Sequence, residues 1–385
     1  MDLYLYCSVF LILAYAGLML LYTYGFFKAK NKFPIKKEQT QPYISIIIPA
    51  RNEAQNIANC LHSILQNNYP KDKFEIILID DFSTDKTVQI AQQILRLQQD
   101  QLLQLKDFIT QEERLNSFKK KALTIGVEHA KGQYIITTDA DCITPKLWLQ
   151  SLANKISTNK NLRCIGAPVN FIPVDNKKNW LYYFQSIDFM TMQGITAASN
   201  HLGLGNMSNG ANFMFSKATF DAVDGYTGID QKASGDDMML MQKINNTFPG
   251  SIDYLLETNA IVNTPVQDSW RSFLNQRIRW ASKSDSYPQL KMTMILLLVY
   301  LTNLNFLILL VVSFFQTNYL KFLIFALISK TLCELIFLFP VSFFFKKSKE
   351  LIFFLFLQPI HIAYIIVAGF LGKFGTYTWK GRTVK

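Results

Sequence analysis

Residues 133–141, QYIITTDAD, decide how this chain is read. The first part is a short run rich in β-branched residues, the pattern of a strand buried on both faces of a parallel sheet, and it stops on two aspartates. Two similar runs lie upstream, Tyr43–Ile48 (YISIII) and Phe74–Ile79 (FEIILI). Ala54–Gln66, Thr84–Gln99 and Lys119–Lys131 read as helices that alternate with them. Such alternation calls for right-handed βαβ units in a doubly wound, mostly parallel α/β layer. Ligands of such layers collect at the carboxyl ends of the strands.

Those ends carry Pro49-Ala50-Arg51-Asn52-Glu53, then Asp80-Asp81-Phe82-Ser83-Thr84-Asp85, then Asp139-Ala140-Asp141. A dinucleotide fold would place G-x-G-x-x-G after its first strand, where this chain has PARNE, and Gly203-Leu204-Gly205 lacks the third glycine. Oxidoreductase chemistry is set aside on that ground. Acidic strand tips repel bare phosphate, so a phosphate ligand here needs a bridging cation. With one residue between them on an extended segment, Asp139 and Asp141 should point the same way, about 7 Å apart at the backbone. Such a pair suits magnesium or manganese held against a diphosphate, although an isolated D-x-D is more often a solvated turn.

Further acidic and basic groups accompany the pair. Asp236 and Asp237 in SGDDMMLMQKI begin a helix, where one could accept a proton from a hydroxyl. Ser234 or Asp236 could equally be an N-cap. Gln276-Arg277-Ile278-Arg279-Trp280 also reads as helix. Arginine grips a diphosphate with a fixed, forked charge, and an indole packs on the apolar side of a sugar ring. A basic helix with tryptophan can also be an interfacial belt.

The totals place this layer beside a membrane. The 385 residues allow one soluble domain plus several spans, and apolar residues crowd the two ends. Leu3–Phe27 is long enough to cross a bilayer and should remain as an anchor. Three further apolar segments, Met292–Phe315, Tyr319–Phe345 and Leu351–Leu371, follow near the carboxyl end. Much of the net charge of +11 flanks these runs, at Lys28, Lys30, Lys32, Lys36, Lys37 and at Lys346, Lys347, Lys349. Attraction to anionic lipid explains these lysines, and no zinc-finger, arginine-rich or RNA-binding signature supports nucleic acid.

The positive-inside rule puts the central domain in the cytoplasm. Three full crossings would then carry the basic tail outside, so a re-entrant or interfacial hairpin around Pro359 and His361 is an alternative for the last segment. Lys330 and Glu334, one helical turn apart, read as a neutralised structural pair or a polar lining, and Trp180–Ala198 as core or an interfacial helix serving a lipid acceptor. Five scattered cysteines fit a reduced compartment, and the four histidines show no metal-ligand spacing.

Taken in order, these motifs resemble the membrane-anchored family-2 glycosyltransferases of the GT-A fold, with their D…DxD…ED…QxxRW pattern, from Tyr43 to Ser284. The resemblance implies an inverting hexosyltransferase of the plasma or inner membrane that uses a nucleotide-diphosphate sugar, UDP-hexose first among them, and a magnesium or manganese ion. Pro49, Arg51, Asn52, Glu53, Asp80 and Asp81 would hold the nucleotide, with Lys119 of KKKAL beside them. Asp139 would contact donor and metal and Asp141 the metal. Gln276, Arg279 and Trp280 would line the diphosphate and acceptor site, and so would Gly210 and Asn212 of SNGAN. The base motif reads Gly235-Asp236-Asp237 in place of Glu-Asp, which leaves open whether Asp237 or Asp236 takes the proton.

The implied layout is an anchor at 1–28, a basic linker at 29–42, a cytosolic catalytic domain at 43–288, about three membrane helices at 289–371 and a basic tail at 372–385. Residues 376–382, TYTWKGR, resemble tails of lipid-modifying relatives and favour single addition to a membrane lipid or lipid-linked acceptor. A processive polysaccharide synthase and a catalytically silent sugar-nucleotide-binding scaffold are the alternatives.

Overall fold

The structure of the protein, a computed structural model, describes residues 2–31, 41–95, 99–109, 117–232, 234–282, 290–375, 377–379 and 382–384. Lys32, Lys36 and Lys37 of the linker, residues 96–98 of the helix expected at Thr84–Gln99, and Thr376, Lys380 and Gly381 of the tail lie outside them.

In chain order the first half comprises α1 (Asp2–Asn31), β1 (Ile44–Ala50), α2 (Ile57–Leu65), β2 (Phe74–Asp80), α3 (Thr87–Ile94), β3 (Gln101–Gln104), α4 (Phe118–His129), β4 (Tyr134–Thr137), α5 (Trp148–Ser157), β5 (Cys164–Gly166) and β6 (Val169–Ile172). Next come α6 (Trp180–Leu202), β7 (Phe213–Ser216), α7 (Lys217–Ala222), α8 (Asp236–Thr247), β8 (Ile252–Tyr254), β9 (Val262–Pro265) and α9 (Trp270–Ala281). The rest is α10 (Leu290–Ser313), α11 (Thr317–Phe344), α12 (Phe354–Phe374), β10 (Tyr377–Trp379) and β11 (Arg382–Val384).

These elements form two compact units, one of 29–172 and 206–265, the other of 1–28, 173–205 and 266–385. The first unit is built on a seven-stranded sheet of order β3-β2-β1-β4-β7-β5-β8. All its pairs are parallel except those made by β7, which runs antiparallel to β4 and β5. Strands β1 and β2 are buried almost throughout, which is why their isoleucine runs show no alternation. Helix α4 lies tight on this layer at Gly126, where a Cβ would come within 2.7 Å of Ile47 Cγ2 and 2.9 Å of Ile79 Cδ1. The doubly wound, mostly parallel layer is therefore as the sequence predicts.

One local expectation fails. Strand β4 ends at Thr137, and the amide of Cys142 donates to the carbonyl of Asp139 at 3.1 Å. Asp139 and Asp141 therefore sit on a turn, where alternate residues do not share a face as they would on an extended strand.

In the second unit, α1, α10, α11 and the segment ending in α12 are long and apolar enough to cross a membrane. Helix α12 runs unbroken through Pro359 and His361, in place of a hairpin. Pro359 lies inside the helix and costs it the N–H bond to the Leu355 carbonyl without ending it. Inside, Lys330 Nζ donates to Glu334 at 2.7 Å and to Gln358 at 3.0 Å, and Tyr15 and Gln358 donate to Glu334. These partners make Lys330 and Glu334 a hydrogen-bonded structural pair between helices.

Helices α6 and α9 pack with α11 and α12 in the second unit. A Cβ on Gly194 of α6 would lie 2.6 Å from Val341, and Phe273 of α9 stacks edge-on with Tyr364 at 5.5 Å. Their apolar faces find partners on α11 and α12.

Candidate active site

The tips of β1 and β2 are knitted together by PARNE and the Asp80–Asp85 loop. Asn52 takes a left-handed conformation (φ 53°), which asparagine tolerates well. Its amide donates to Ser83 Oγ at 2.9 Å, and its side-chain oxygen accepts from the Thr84 amide at 2.8 Å. The next amides, of Glu53 and Ala54, donate to Thr87 Oγ1 at 2.8 Å and Asp85 Oδ2 at 3.0 Å. Arg51 lies 3.6 Å from the Asp81 carboxylate. Asp80 is buried; Oδ2 accepts from the Ser83 amide, whereas Oδ1 has no hydrogen-bond partner. A buried acceptor left unpaired is costly, so this oxygen suits a ligand N–H or hydroxyl.

Beyond the tip of β4 a second cluster forms around a lysine from the first turn of α4. Lys119 Nζ lies 2.8 Å from Asp139 Oδ1 and 3.2 Å from Asp236 Oδ2. Burial pulls its pKa down, but the carboxylates of Asp139, Asp236 and Asp237 outweigh burial and hold it well above the ordinary lysine value. Of the three lysines in KKKAL, Lys119 is thus the one that reaches the aspartates. Lys120 turns into the interior.

Asp236 and Asp237 occupy the first turn of α8, where the helix N-terminus favours negative charge. The N-cap is Gly235 at φ 84°, with no side-chain cap bond, so neither Ser234 nor Asp236 caps this helix. Asp237 Oδ1 accepts from the Met238 amide at 2.7 Å. Asp141 Oδ2 accepts from Thr264 Oγ1 at 3.3 Å.

Among the described residues no group of three or more His, Cys, Asp or Glu side chains is placed to hold a metal ion. Asp139 and Asp141 supply oxygen donors only. Magnesium-like ions use one or two carboxylates and complete their shell with water and phosphate. The donor set fits a hard cation shared with a diphosphate, and not a closed structural metal site.

Gly210 and Asn212 part company. A Cβ on Gly210 would lie 2.9 Å from Asp236 Oδ2 and 3.3 Å from Lys119 Nζ, so the glycine leaves room for the ion pair. Gly210→Ala is therefore expected to displace both charges and lower kcat/KM by up to about 10²-fold, with little change in melting temperature. Steady-state kinetics and thermal unfolding of that variant check it. Asn212 is wholly buried; its amide accepts from Trp148 Nε1 at 2.9 Å and donates to the carbonyls of Pro168 at 2.8 Å and Ala260 at 2.7 Å. These bonds tie Asn212 to the scaffold beside the site.

Gln276, Arg279 and Trp280 lie on α9 of the membrane unit, half-buried. Between them Arg277 is buried, with Nε 2.9 Å and Nη2 2.7 Å from Asp188 Oδ2. Its Nη1 donates to Gln276 Oε1 at 2.7 Å, and its guanidinium lies 4.6 Å from the Phe273 ring and 4.3 Å from that of Trp280. Sequence reasoning missed Asp188, Arg277, Lys120 and Thr264. Asp188 and Lys120, charged residues within the otherwise apolar or periodic faces of α6 and α4, were the available signal.

The solved structure of the mannosyltransferase PcManGT from Pyrobaculum calidifontis, in complex with GDP-Man and Mn2+, shares the fold at a TM-score of 0.58 and 19% identity, covering 95% of this chain and 97% of that one. The shared fold and the matching family models define a glycosyltransferase of the GT-A class. The model of glycosyl transferase family group 2 matches residues 134–370 and that of glycosyl transferase family 2 matches residues 45–218; the chain belongs to family 2.

Glycosyltransferase AglE of Haloferax volcanii is 33% identical over 132 residues, 34% of this chain and 41% of AglE. The probable glycosyltransferase YdaM of Bacillus subtilis is 26% identical over 65% of this chain and 57% of YdaM. The poly-beta-1,6-N-acetyl-D-glucosamine synthase of Staphylococcus epidermidis is 27% identical over 67% of this chain and 59% of the synthase. The matches thus span 41% to 59% of the length of these relatives.

Proposed function

We propose that the protein is an inverting transferase that moves a hexose from a UDP-sugar to a membrane lipid or lipid-linked acceptor. The observation that supports it is the Lys119 ammonium held between Asp139 and Asp236, with Gly210 opening space against them. PARNE and Asp80–Asp81 would hold the nucleoside, and Asp139 and Asp141 a magnesium or manganese ion. A bound ion would offset charge on the departing diphosphate.

In this reading Asp237 takes the proton of the acceptor hydroxyl while its oxygen bonds to the anomeric carbon and the bond from that carbon to the diphosphate breaks. Asp237 is chosen because Asp236 is ion-paired with Lys119, and a neighbouring cation weakens a carboxylate as a base. No carboxylate is assigned as nucleophile, so single displacement with inversion follows. Gln276, Arg279 and Trp280 are assigned to the diphosphate and acceptor from the family resemblance. Lys28 and Lys30 after the first apolar helix support, by the positive-inside rule, a catalytic unit on the cytoplasmic side, where sugar nucleotides are made.

A polymer-forming synthase is the second reading, favoured by similarity to the staphylococcal synthase. Purified protein with an α-linked UDP-hexose panel, a native lipid extract and manganese should yield a β-linked glycolipid. An α-linked product would defeat inversion, and a ladder of long chains would favour the synthase. Absence of both transfer and donor hydrolysis would defeat the enzymatic assignment of the site in favour of a scaffold.

A further inference from the structure

Lys120 presents a physical anomaly outside the site assigned so far. Its side chain is a large, almost fully buried cation, 1% exposed. Burying an ammonium costs several kcal/mol unless good geometry compensates, and an apolar side chain of similar size would fill such a space at less cost. Three backbone carbonyls accept from the ammonium. Nζ donates to Ile229 O at 2.5 Å, to Lys232 O at 2.8 Å and to Ser234 O at 3.3 Å, with Met239 Sδ at 3.8 Å.

Those carbonyls belong to the segment that leads into the aspartate pair. Residues 224–232 are turns without helix or strand, and the chain then reaches Gly235 at φ 84° before α8 begins on Asp236. From the other side Lys243 of α8 donates to the carbonyls of Gly225 at 3.1 Å and Thr227 at 2.8 Å. Neighbouring residues on a helix point about 100° apart. One turn of α4 thus sends Lys119 to the carboxylates of Asp139 and Asp236 and Lys120 to the backbone that delivers Asp236 and Asp237.

We propose that Lys120 is a positioning residue for sugar transfer: its buried ammonium gathers the carbonyls of Ile229, Lys232 and Ser234 and so sets where Asp236 and Asp237 stand relative to Lys119. The proposal rests on the reading of Asp237 as the base. It assigns to Lys120 an effect on turnover that exceeds its effect on nucleotide binding, since PARNE and the Asp80–Asp85 loop are held by their own bonds.

The test uses the full-length protein in detergent with Lys120→Met, Lys120→Arg, Asp237→Asn and the Lys120→Met/Asp237→Asn double variant. Titration with UDP gives nucleotide affinity, and initial rates give kcat. Lys120→Met is expected to keep UDP affinity while kcat falls by about 10²-fold, the scale of a misplaced catalytic group. Lys120→Arg, which restores a buried multidentate cation, should recover part of that loss. The double variant should be no slower than Asp237→Asn alone. A kcat unchanged in Lys120→Met, UDP affinity lost in step with kcat in both Lys120 variants, multiplicative losses in the double variant, or neither Lys120 variant folding would each overturn the proposal. Full activity in Asp237→Asn would instead refute the base assignment on which it stands.

Discussion

Asp237→Asn is expected to lower kcat by about 10² to 10⁴-fold, the usual contribution of a general base, and to leave UDP affinity unchanged. The amide keeps the size of the carboxylate and can still accept the Met238 N–H bond made by Oδ1 at 2.7 Å, so α8 should start at the same place. What is lost is the capacity to take the acceptor proton. Asp236→Asn should behave differently. It removes one of two carboxylates within 3.2 Å of Lys119 Nζ, so it should disturb the lysine and its hold on Asp139, raising donor KM along with any fall in kcat. Rate measurements on both variants, with UDP affinity measured in parallel, separate the roles. If Asp236→Asn were the more damaging in kcat alone, the two assignments would be exchanged.

Asp188→Ala should destabilise the second unit by about 3–5 kcal/mol, the cost of leaving a buried charge without its partner. Both side chains of the Asp188–Arg277 pair are nearly inaccessible, at 4% and 2% exposure. Tyr364 Oη also donates to Asp188 Oδ1 at 3.0 Å, so one deletion strands a guanidinium and a phenol together. Unfolding in detergent, followed by intrinsic fluorescence, measures the loss. The double replacement Asp188→Leu/Arg277→Met should recover most of that stability, because removing both charges leaves no ion uncompensated. It should not recover turnover, since Arg277 also holds the Gln276 amide and lies against the Trp280 ring. A single Asp188→Ala variant as stable as the parent protein would show that the pair carries no such burden.

The legible parts of this molecule were those with local causes. Isoleucine-rich runs announced β1 and β2, and helical patterns between them announced the alternation, because burial on both faces leaves a mark within a few residues. Four apolar segments were readable because a bilayer sets their length. The motifs at the strand tips were readable in order. Asp139, Asp236 and Lys119 stand out as site candidates from their motifs alone.

Other features required the fold. Three adjacent lysines are alike in sequence; only helix α4 packed on its sheet sends Lys119 to the carboxylates and Lys120 to the carbonyls of Ile229, Lys232 and Ser234. Asn212 reads in the sequence as a ligand contact, and only the fold shows that its amide bonds to Trp148, Pro168 and Ala260. The turn after β4, the unbroken α12 and the grouping of α6 and α9 with the membrane helices likewise arise from partners far along the chain. Amino-acid order determined the strands, helices, apolar spans and strand-tip motifs, which depend on neighbours a few positions away. Tertiary structure alone decided which charges pair and which polar groups are used up, because hydrogen bonding and burial of a side chain depend on residues tens to hundreds of positions distant.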